Sequence, residues 1–451
     1  MGKLEEDLIA KYDKPVPRYT SYPTVPDWQL EAFSKEEYLT KLSDSFVANN
    51  DEGLSLYIHL PYCESLCTYC GCNTHISVNH QVEYPYIKAL LKEWKMYLKT
   101  FGQKPKLKEI HLGGGTPTFF AADNLKFLIE EIVASVELLP GYEFSFEGHP
   151  NNTTYEHLKV LKEVGFSRVS FGIQDFDHKV QQAINRIQPL DQVTEVTEWA
   201  RSLGYESVNF DLIYGLPFQN EASIINTIQK VKMLNPDRIA FYSYAHVPWK
   251  RPGQRAYSEA DLPSPSMKRK LNVLGQDLLR QSGYLPIGMD HFALPKDSLV
   301  KAFEEGRLHR NFMGYTTSNS ELLIGLGVSS ISDTGLGYAQ NAKSVKGYLM
   351  HLDKGELPIV KGHIMTAEDR KIKRKLLAVA CEQKITTKDA LKLYLEQREQ
   401  LEDLIADGLL EKTSEGFEVT STGTQFLRNI CALFDPNFGK QNGKKVFSQA
   451  I

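Results

Sequence analysis

The sequence lacks long hydrophobic runs: no stretch of its 451 residues approaches the roughly 18 consecutive apolar residues of a membrane-spanning helix. Met1–Asp13 is charged and amphipathic, without the apolar core of a signal peptide. The chain therefore reads as cytoplasmic, with no membrane insertion. Excess charge of one sign is also missing: 52 Lys and Arg face 56 Asp and Glu, for a net charge of -4. That balance gives no electrostatic reason to expect bulk binding of nucleic acid and favours small-molecule partners. Six cysteines are too few for a disulfide scaffold in a chain of this length. Four of them fall between Cys63 and Cys72, and that clustering points to a metal site. Repeats and low-complexity tracts are absent beyond one alternating period.

That period is β then α. Extended runs at Leu54–Leu60, Leu107–Leu112, Glu143–Glu147, Arg168–Ile173, Ser207–Ile213 and Arg238–Tyr242 alternate with helical patterns at Tyr84–Lys99, Asp123–Val136, Tyr155–Val164, Leu190–Leu203 and Glu221–Leu234. Six such units predict an α/β fold with a parallel sheet, open or curled into a barrel, whose catalytic loops lie at the carboxyl ends of the strands. A chain this long exceeds one hydrophobic core, so smaller additions are expected. Pro15–Pro26 (PVPRYTSYPTVP) reads as an extended arm. Beyond about Gly362 the pattern is mostly helical, and the helix-hairpin pattern from Leu401 resembles a winged helix. Its Glu411, Glu415 and Glu418 would repel phosphates, which favours a structural or lid role.

The segment YIHLPYCESLCTYCGCN follows the first predicted strand and places cysteines at 63, 67, 70 and 72. A structural zinc site assembles two distant ligand pairs, and no second knuckle exists, since Cys381 and Cys431 stand alone in apolar contexts. Three thiolates on one short loop suit three irons of a cubane and leave the fourth iron open. Cys63, Cys67 and Cys70 are the expected ligands, because Cys72, two positions on, would have to fold back to reach the last corner. After the second strand, HLGGGTPT lets the backbone approach a ligand closely, although a glycine run alone is often only a tight turn. Strand ends offer Glu147, Gln174, Asp175 and Asp211, with Arg186 nearby. Each could serve a ligand or equally an internal ion pair or helix cap.

The CxxxCxxC spacing after a strand resembles the signature of the radical S-adenosylmethionine superfamily. The fold implied is a partial (β/α)6 barrel with an N-terminal arm and a mostly helical, winged-helix-like C-terminal domain. PRYTSYPT, CGC, GGGTPT, GIQDF, NFDLIYGLP, NPDRIAFYSYAHVP, GMDHFALP, LHRNFMGYTT, GLGVSSIS and RNICALFD extend the likeness over almost the whole chain. Together they resemble the oxygen-independent coproporphyrinogen III oxidase family. That resemblance implies oxidative decarboxylation of two propionates of coproporphyrinogen III to vinyl groups, a 4Fe-4S cluster, and two S-adenosylmethionine molecules. The cosubstrate positions it carries over are Tyr57, Tyr69, Gly114, Gly115, Thr116, Glu147, Gln174, Arg186, Asp211, Ala245 and Ile331.

The resemblance also implies a monomer served by an electron-donor protein such as flavodoxin or ferredoxin. Expected domains are an arm and lid over 1–50, the barrel over 51–290, an extension completing the active site over 291–361 and the C-terminal domain over 362–451. Arg18, Arg310 and His291 are candidate partners for substrate carboxylates. Gly148, His149 and Met313 depart from the family pattern near the second cosubstrate. Rival readings are a haem carrier or haem-modifying methyltransferase of the same superfamily, which usually has phenylalanine at the Cys72 place, and a non-enzymatic zinc module.

Overall fold

Alternation along the strands sets the architecture. In the computed structural model, which describes residues 3–28 and 30–438, six parallel strands run β1 (Leu54–Leu60), β2 (Lys106–Gly114), β3 (Glu137–Gly148), β4 (Phe166–Gln174), β5 (Ser207–Tyr214) and β6 (Arg238–Ser243). Residues 1, 2, 29 and 439–451, parts of the expected arm and C-terminal domain, lie outside the described residues. On one face Leu56, Ile58, Ile110, Leu112, Phe144, Phe146, Phe171, Phe210 and Leu212 are buried. The other face carries Tyr57, His111, Ser145, Ser170, Asn209 and Asp211, brought side by side by the register Tyr57–His111–Ser145 and Ser170–Asn209. A period of two thus gives an apolar side for helices and a polar side for a site.

The helices are α1 (Lys35–Asn49), α2 (Glu83–Phe101), α3 (Ala122–Ala134), α4 (Tyr155–Glu163), α5 (His178–Ala183), α6 (Leu190–Ser202) and α7 (Glu221–Leu234). Their ends follow local chemistry. Thr154 caps α4 in a capping box with His157, Asn220 caps α7 with Ser223, and Gly102 closes α2 in the left-handed conformation. The short α5 breaks the simple alternation and is held at its start by the Asp177 carboxylate, which accepts from the Lys179 and Val180 N–H groups.

Beyond β1 the sheet continues through β7 (Leu323–Leu326), β8 (Ile331–Asp333), β9 (Gly337–Asn341) and, after helix α8 (Val345–Asp353), β10 (Ile359–Ile364). The order within this unit is β10-β9-β8-β7-β1-β2-β3-β4-β5-β6, with β7 parallel to β1 and β8 to β10 antiparallel. Residues 30–264 and 320–364 make up this compact unit, which is a partial (β/α)6 barrel extended on one edge.

A second unit gathers residues 3–28, 265–319 and 365–438. Tyr12, Val16, Tyr19 and Tyr22 of the arm share its core with Leu376, Val379, Cys381, Leu427, Ile430 and Cys431. Arg428 donates to the carbonyls of Val16 and Pro17, and the Tyr19 hydroxyl donates to Asp435 at 3.0 Å. Helices Thr387–Glu396 and Arg398–Ala406 precede a hairpin of Leu410–Thr413 and Gly416–Val419, whose second strand also pairs with Lys384–Thr386, a winged-helix arrangement. Cys381 and Cys431 are buried, and burial pushes both thiols up, Cys381 to about 12. Among the described residues no helix is long and apolar enough to cross a membrane.

Candidate active site

At the carboxyl ends of the strands one cavity of about 250 Å³ brings together Cys63, Cys67, Cys70, Tyr69, Gly114, Gly115, Thr116, Glu147, Gln174, Arg186 and Asp211. Residues separated by up to 148 positions, Cys63 to Asp211, therefore converge. Cys72, Gly148, His149, Asn152 and Tyr242 also line it.

The cysteine loop springs from β1 and closes on itself. Tyr62–Cys63 pairs in parallel with His75–Ile76, and the Cys70 N–H donates to the Cys67 carbonyl at 3.1 Å. Backbone and side chains from elsewhere pin its outer turn. Thr68 donates from its N–H to Ile184 O and from its hydroxyl to Ala183 O, each at 3.0 Å. Asn185, held at φ 51°, donates to Leu66 O at 2.8 Å, and Gln254 donates to Tyr69 O at 3.0 Å. From beneath, His59 contacts Asn73 O through Nε2 at 2.9 Å. A carbonyl only accepts, so Nε2 carries the proton and Nδ1 accepts from the Tyr57 hydroxyl at 2.9 Å. Burial lowers the His59 pKa and agrees with this neutral tautomer.

The glycine run ends β2. The demand for glycine comes first from the protein itself: a Cβ on Gly115 would sit 2.5 Å from Pro61 O and 2.9 Å from Tyr62 O. Gly114 has φ +118° and lies under the His59 ring. The bend is thus packed directly on the root of the cysteine loop. Opposite it, Glu147 accepts from the Gly114 N–H at 3.3 Å and lies 3.4 Å from His111 Nε2. Burial raises its pKa, but His111 and the Gly114 N–H prevail and hold the carboxyl below its ordinary range.

Arg186 spreads its guanidinium over three partners: Gly172 O at 2.6 Å, Gln188 Oε1 at 2.8 Å and Cys67 Sγ at 3.5 Å. Asp211 is oriented by Asn209 at 2.8 Å and Ser170 at 3.1 Å. Asp175, expected at the mouth, instead lies at 0% exposure behind it, bonded to Gln219 at 2.6 Å and Thr227 at 3.0 Å. His149 is kept neutral, its pKa pushed far down by burial and by Arg186. Tyr57 lies one layer below the cavity through His59. Ala245 is joined to the cysteine loop by Gln254, which donates to its carbonyl at 3.1 Å, while Ile331 opens β8, and neither lines the cavity.

The remaining candidates fall in the second unit. His291 Nδ1 lies 2.7 Å from Asp290, and Arg310 stacks 4.5 Å over the Tyr315 ring. Burial raises the Asp290 pKa, but His291, Arg310 and Arg18 bring it far below its ordinary value, so all three sequence candidates act on one carboxylate. Met313 sits in the tip of the 309–316 hairpin, its N–H donating to Asn311.

The donor set fits a soft-metal cluster. Among the described residues no three His, Cys, Asp or Glu side chains converge as the ligands of a single ion. Three thiols on one loop instead border a shared space, with Cys63 3.3 Å from the Thr116 hydroxyl, Cys67 under Arg186, and Cys70 accepting from the Cys72 N–H at 3.4 Å. Fold and site define a radical S-adenosylmethionine protein, and residues 57–231 match the radical SAM superfamily, whose members work with a 4Fe-4S cluster and S-adenosylmethionine. The chain is 37% identical to the oxygen-independent coproporphyrinogen III oxidase of Synechocystis sp., covering 100% of this chain and 98% of that one. To the Escherichia coli enzyme of the same name it is 36% identical, with 98% of each chain covered. The chain belongs to the oxygen-independent coproporphyrinogen III oxidase family. The solved structure of the Escherichia coli coproporphyrinogen III oxidase, described as a radical SAM enzyme, superposes with a TM-score of 0.87 at 35% identity, covering 94% of this chain and 100% of that one.

Proposed function

We propose that the chain catalyses the oxygen-independent conversion of coproporphyrinogen III to protoporphyrinogen IX, in which each of two propionates loses one hydrogen atom, one carbon dioxide and one electron to become a vinyl group. The observation that carries the reading is the single cavity in which three loop thiols meet the glycine bend and the strand-end set Glu147, Gln174, Arg186 and Asp211. Cys63, Cys67 and Cys70 would hold the cluster, and S-adenosylmethionine bound at it would supply the 5′-deoxyadenosyl radical that takes the hydrogen atom from the propionate β-carbon.

The chain's own residues bind and orient. Gly114, Gly115 and Thr116 let the backbone line the cavity closely beside the thiols, their N–H groups being held by Glu147, Leu60 O and Tyr62 O. Glu147 and Asp211 are anionic acceptors for ribose hydroxyls and counter-charges to a sulfonium, and Arg186 is a fixed cationic partner for a carboxylate. Tyr69, Gln174, Ala245 and Ile331 complete the binding positions, and Tyr57 acts from below through His59. Two S-adenosylmethionine molecules are served, and Gly148, His149 and Met313 are the departures from the family pattern that bear on the second. Arg18, Arg310 and His291 are assigned to the substrate propionates, and an electron-donor protein such as flavodoxin or ferredoxin completes the system.

Anaerobic incubation of the brown, cluster-loaded protein with coproporphyrinogen III, S-adenosylmethionine and a reductant tests this. Protoporphyrinogen and carbon dioxide are the expected products. Tight haem binding without turnover would move the chain to the carrier branch, and a colourless, zinc-containing, oxygen-indifferent protein would overturn the reading altogether.

A further inference from the structure

One part of the surface next to the cysteine loop is both apolar and basic. Trp249 is 56% exposed and Leu66 is 42% exposed, each large enough to need an explanation on a soluble surface. Lys250 and Arg255 are exposed beside them and Arg251 is half-buried. From Tyr244 to Ser258 the sequence carries these three cations and no Asp or Glu, in a chain whose net charge is -4. The nearest acids lie at its borders: Glu64 is 3.5 Å from His80, Asp261 accepts from the Ser258 N–H and hydroxyl at 2.8 and 2.9 Å, and Glu259, the first acid beyond the segment, is exposed and acts on His246.

This segment is fixed to the cysteine loop. Gln254, 1% exposed, donates to Tyr69 O, and Gly253 is packed so that a Cβ there would lie 3.2 Å from Leu66 Cδ2 and 3.4 Å from Thr68 O. Leu66 and Thr68 flank Cys67. The basic, Trp-bearing segment therefore packs on the loop beside the cavity, and Leu66 lies at the rim the two share.

We propose that Leu66, Trp249, Lys250 and Arg255 form the docking surface for a small acidic one-electron carrier protein of the flavodoxin or ferredoxin class. The inference rests on the cluster reading above. One electron leaves the carrier, which is oxidised by one electron, and enters the cluster, which is reduced by one, with no proton moved. Electron transfer weakens steeply with distance, so a carrier gains from docking on the loop that bears the thiols. Weak redox encounters bury little surface and rely on charge steering with an apolar contact at the centre, which is what one Trp, one Leu and a few cations provide. Three cations in a compact patch are too few to track a nucleic-acid strand.

The test is direct binding of oxidised flavodoxin to the holoenzyme at low and high salt, with S-adenosylmethionine cleavage driven separately by reduced flavodoxin and by dithionite. Lys250→Glu/Arg255→Glu is expected to weaken flavodoxin binding by at least about tenfold at low salt and to flatten its salt dependence. Trp249→Ala weakens binding at both salts. Dithionite-driven cleavage stays at the wild-type rate in both variants, and Lys126→Glu on the outer face of α3 leaves binding unchanged. The proposal is overturned if the charge-reversed variant binds flavodoxin like wild type, if Lys126→Glu is equally damaging, or if the patch captures a single-stranded oligonucleotide and no flavodoxin. Absence of dithionite-driven cleavage in the wild type would sink the radical-enzyme reading instead, a result the binding measurement keeps separate.

Discussion

Gln254 holds the cysteine loop in place without lining the cavity, and replacing it gives a sharp test of how the site is built. Its side chain donates to Tyr69 O at 3.0 Å and Ala245 O at 3.1 Å, and accepts from the Val247 N–H at 2.6 Å. Gln254→Leu keeps the volume and removes all three bonds. At about 1 kcal/mol net each the loss is about 3 kcal/mol, and since Tyr69 and Ala245 are only half-buried, water can recover part of it, leaving about 2 to 3 kcal/mol. Local opening of the loop should then rise roughly 30- to 150-fold. Anaerobic hydrogen exchange read by mass spectrometry follows this in peptides spanning 61–76 and 244–257, with β3 as an internal reference. Release of iron to a chelator should accelerate in parallel. Gln254→Glu keeps the acceptor for Val247 but sets a carboxylate against two carbonyls, so it should be at least as damaging. Unchanged exchange across 61–76 in Gln254→Leu, or wild-type behaviour of Gln254→Glu, would refute the reasoning.

Gly115→Ala should abolish cluster incorporation, since its Cβ would meet only backbone of Pro61 and Tyr62, whereas Gly71→Ala, with nothing within 4 Å, should load iron and sulfide like wild type; equal loading of the two contradicts the packing argument. Cys67→Ala should lose both the brown colour and S-adenosylmethionine cleavage, while Cys72→Ser keeps the colour in anaerobic absorbance spectra, and a colourless Cys72→Ser would make Cys72 a ligand. Glu93, 0% exposed, is pushed from its ordinary 4.5 to about 7 by burial, against donors from Tyr348, Gly327 and Asn341. Below about pH 4.5 folded and unfolded forms are both protonated, and above it only the unfolded chain releases its proton, so stability falls as pH rises to about 7. The wild type should lose about 3 kcal/mol more than Glu93→Gln over that window in urea titrations. Parallel curves would mean that the three donors outweigh burial.

What could be read beforehand follows from which features leave a pattern. Runs such as Leu54–Leu60 and Ser207–Ile213 alternate so regularly that strands were legible to within a residue or two, and the cysteine spacing marked the loop. Hidden from the sequence were elements whose role is to satisfy backbone groups. Gln254 and Asn185 each bond carbonyls far from them in sequence, and nothing in their neighbours signals it. β7 to β10 were missed because three- to six-residue strands rich in Gly and Ser carry little periodicity: Gly325 must be small where Ile331 O would lie 2.6 Å from a Cβ. Asp175 shows the opposite error. A polar residue at a strand end looked like part of the mouth, but φ 68° at Gln174 turns the chain and sends the carboxylate inward. The glycine run was read as room for a ligand, and the structure adds a prior demand from Pro61 and Tyr62.

The clamp of Arg428 on Val16 and Pro17 sets an order for biosynthesis. Val16 must wait until Arg428, 412 positions further on, has left the ribosome before its partner exists. Throughout that interval Tyr12, Val16, Tyr19 and Tyr22 lack the core that finally buries them, while β1 to β6 already have every pairing they make with one another. The nascent chain thus carries a sticky aromatic leader ahead of a largely finished barrel, and it is there that a chaperone would have something to hold.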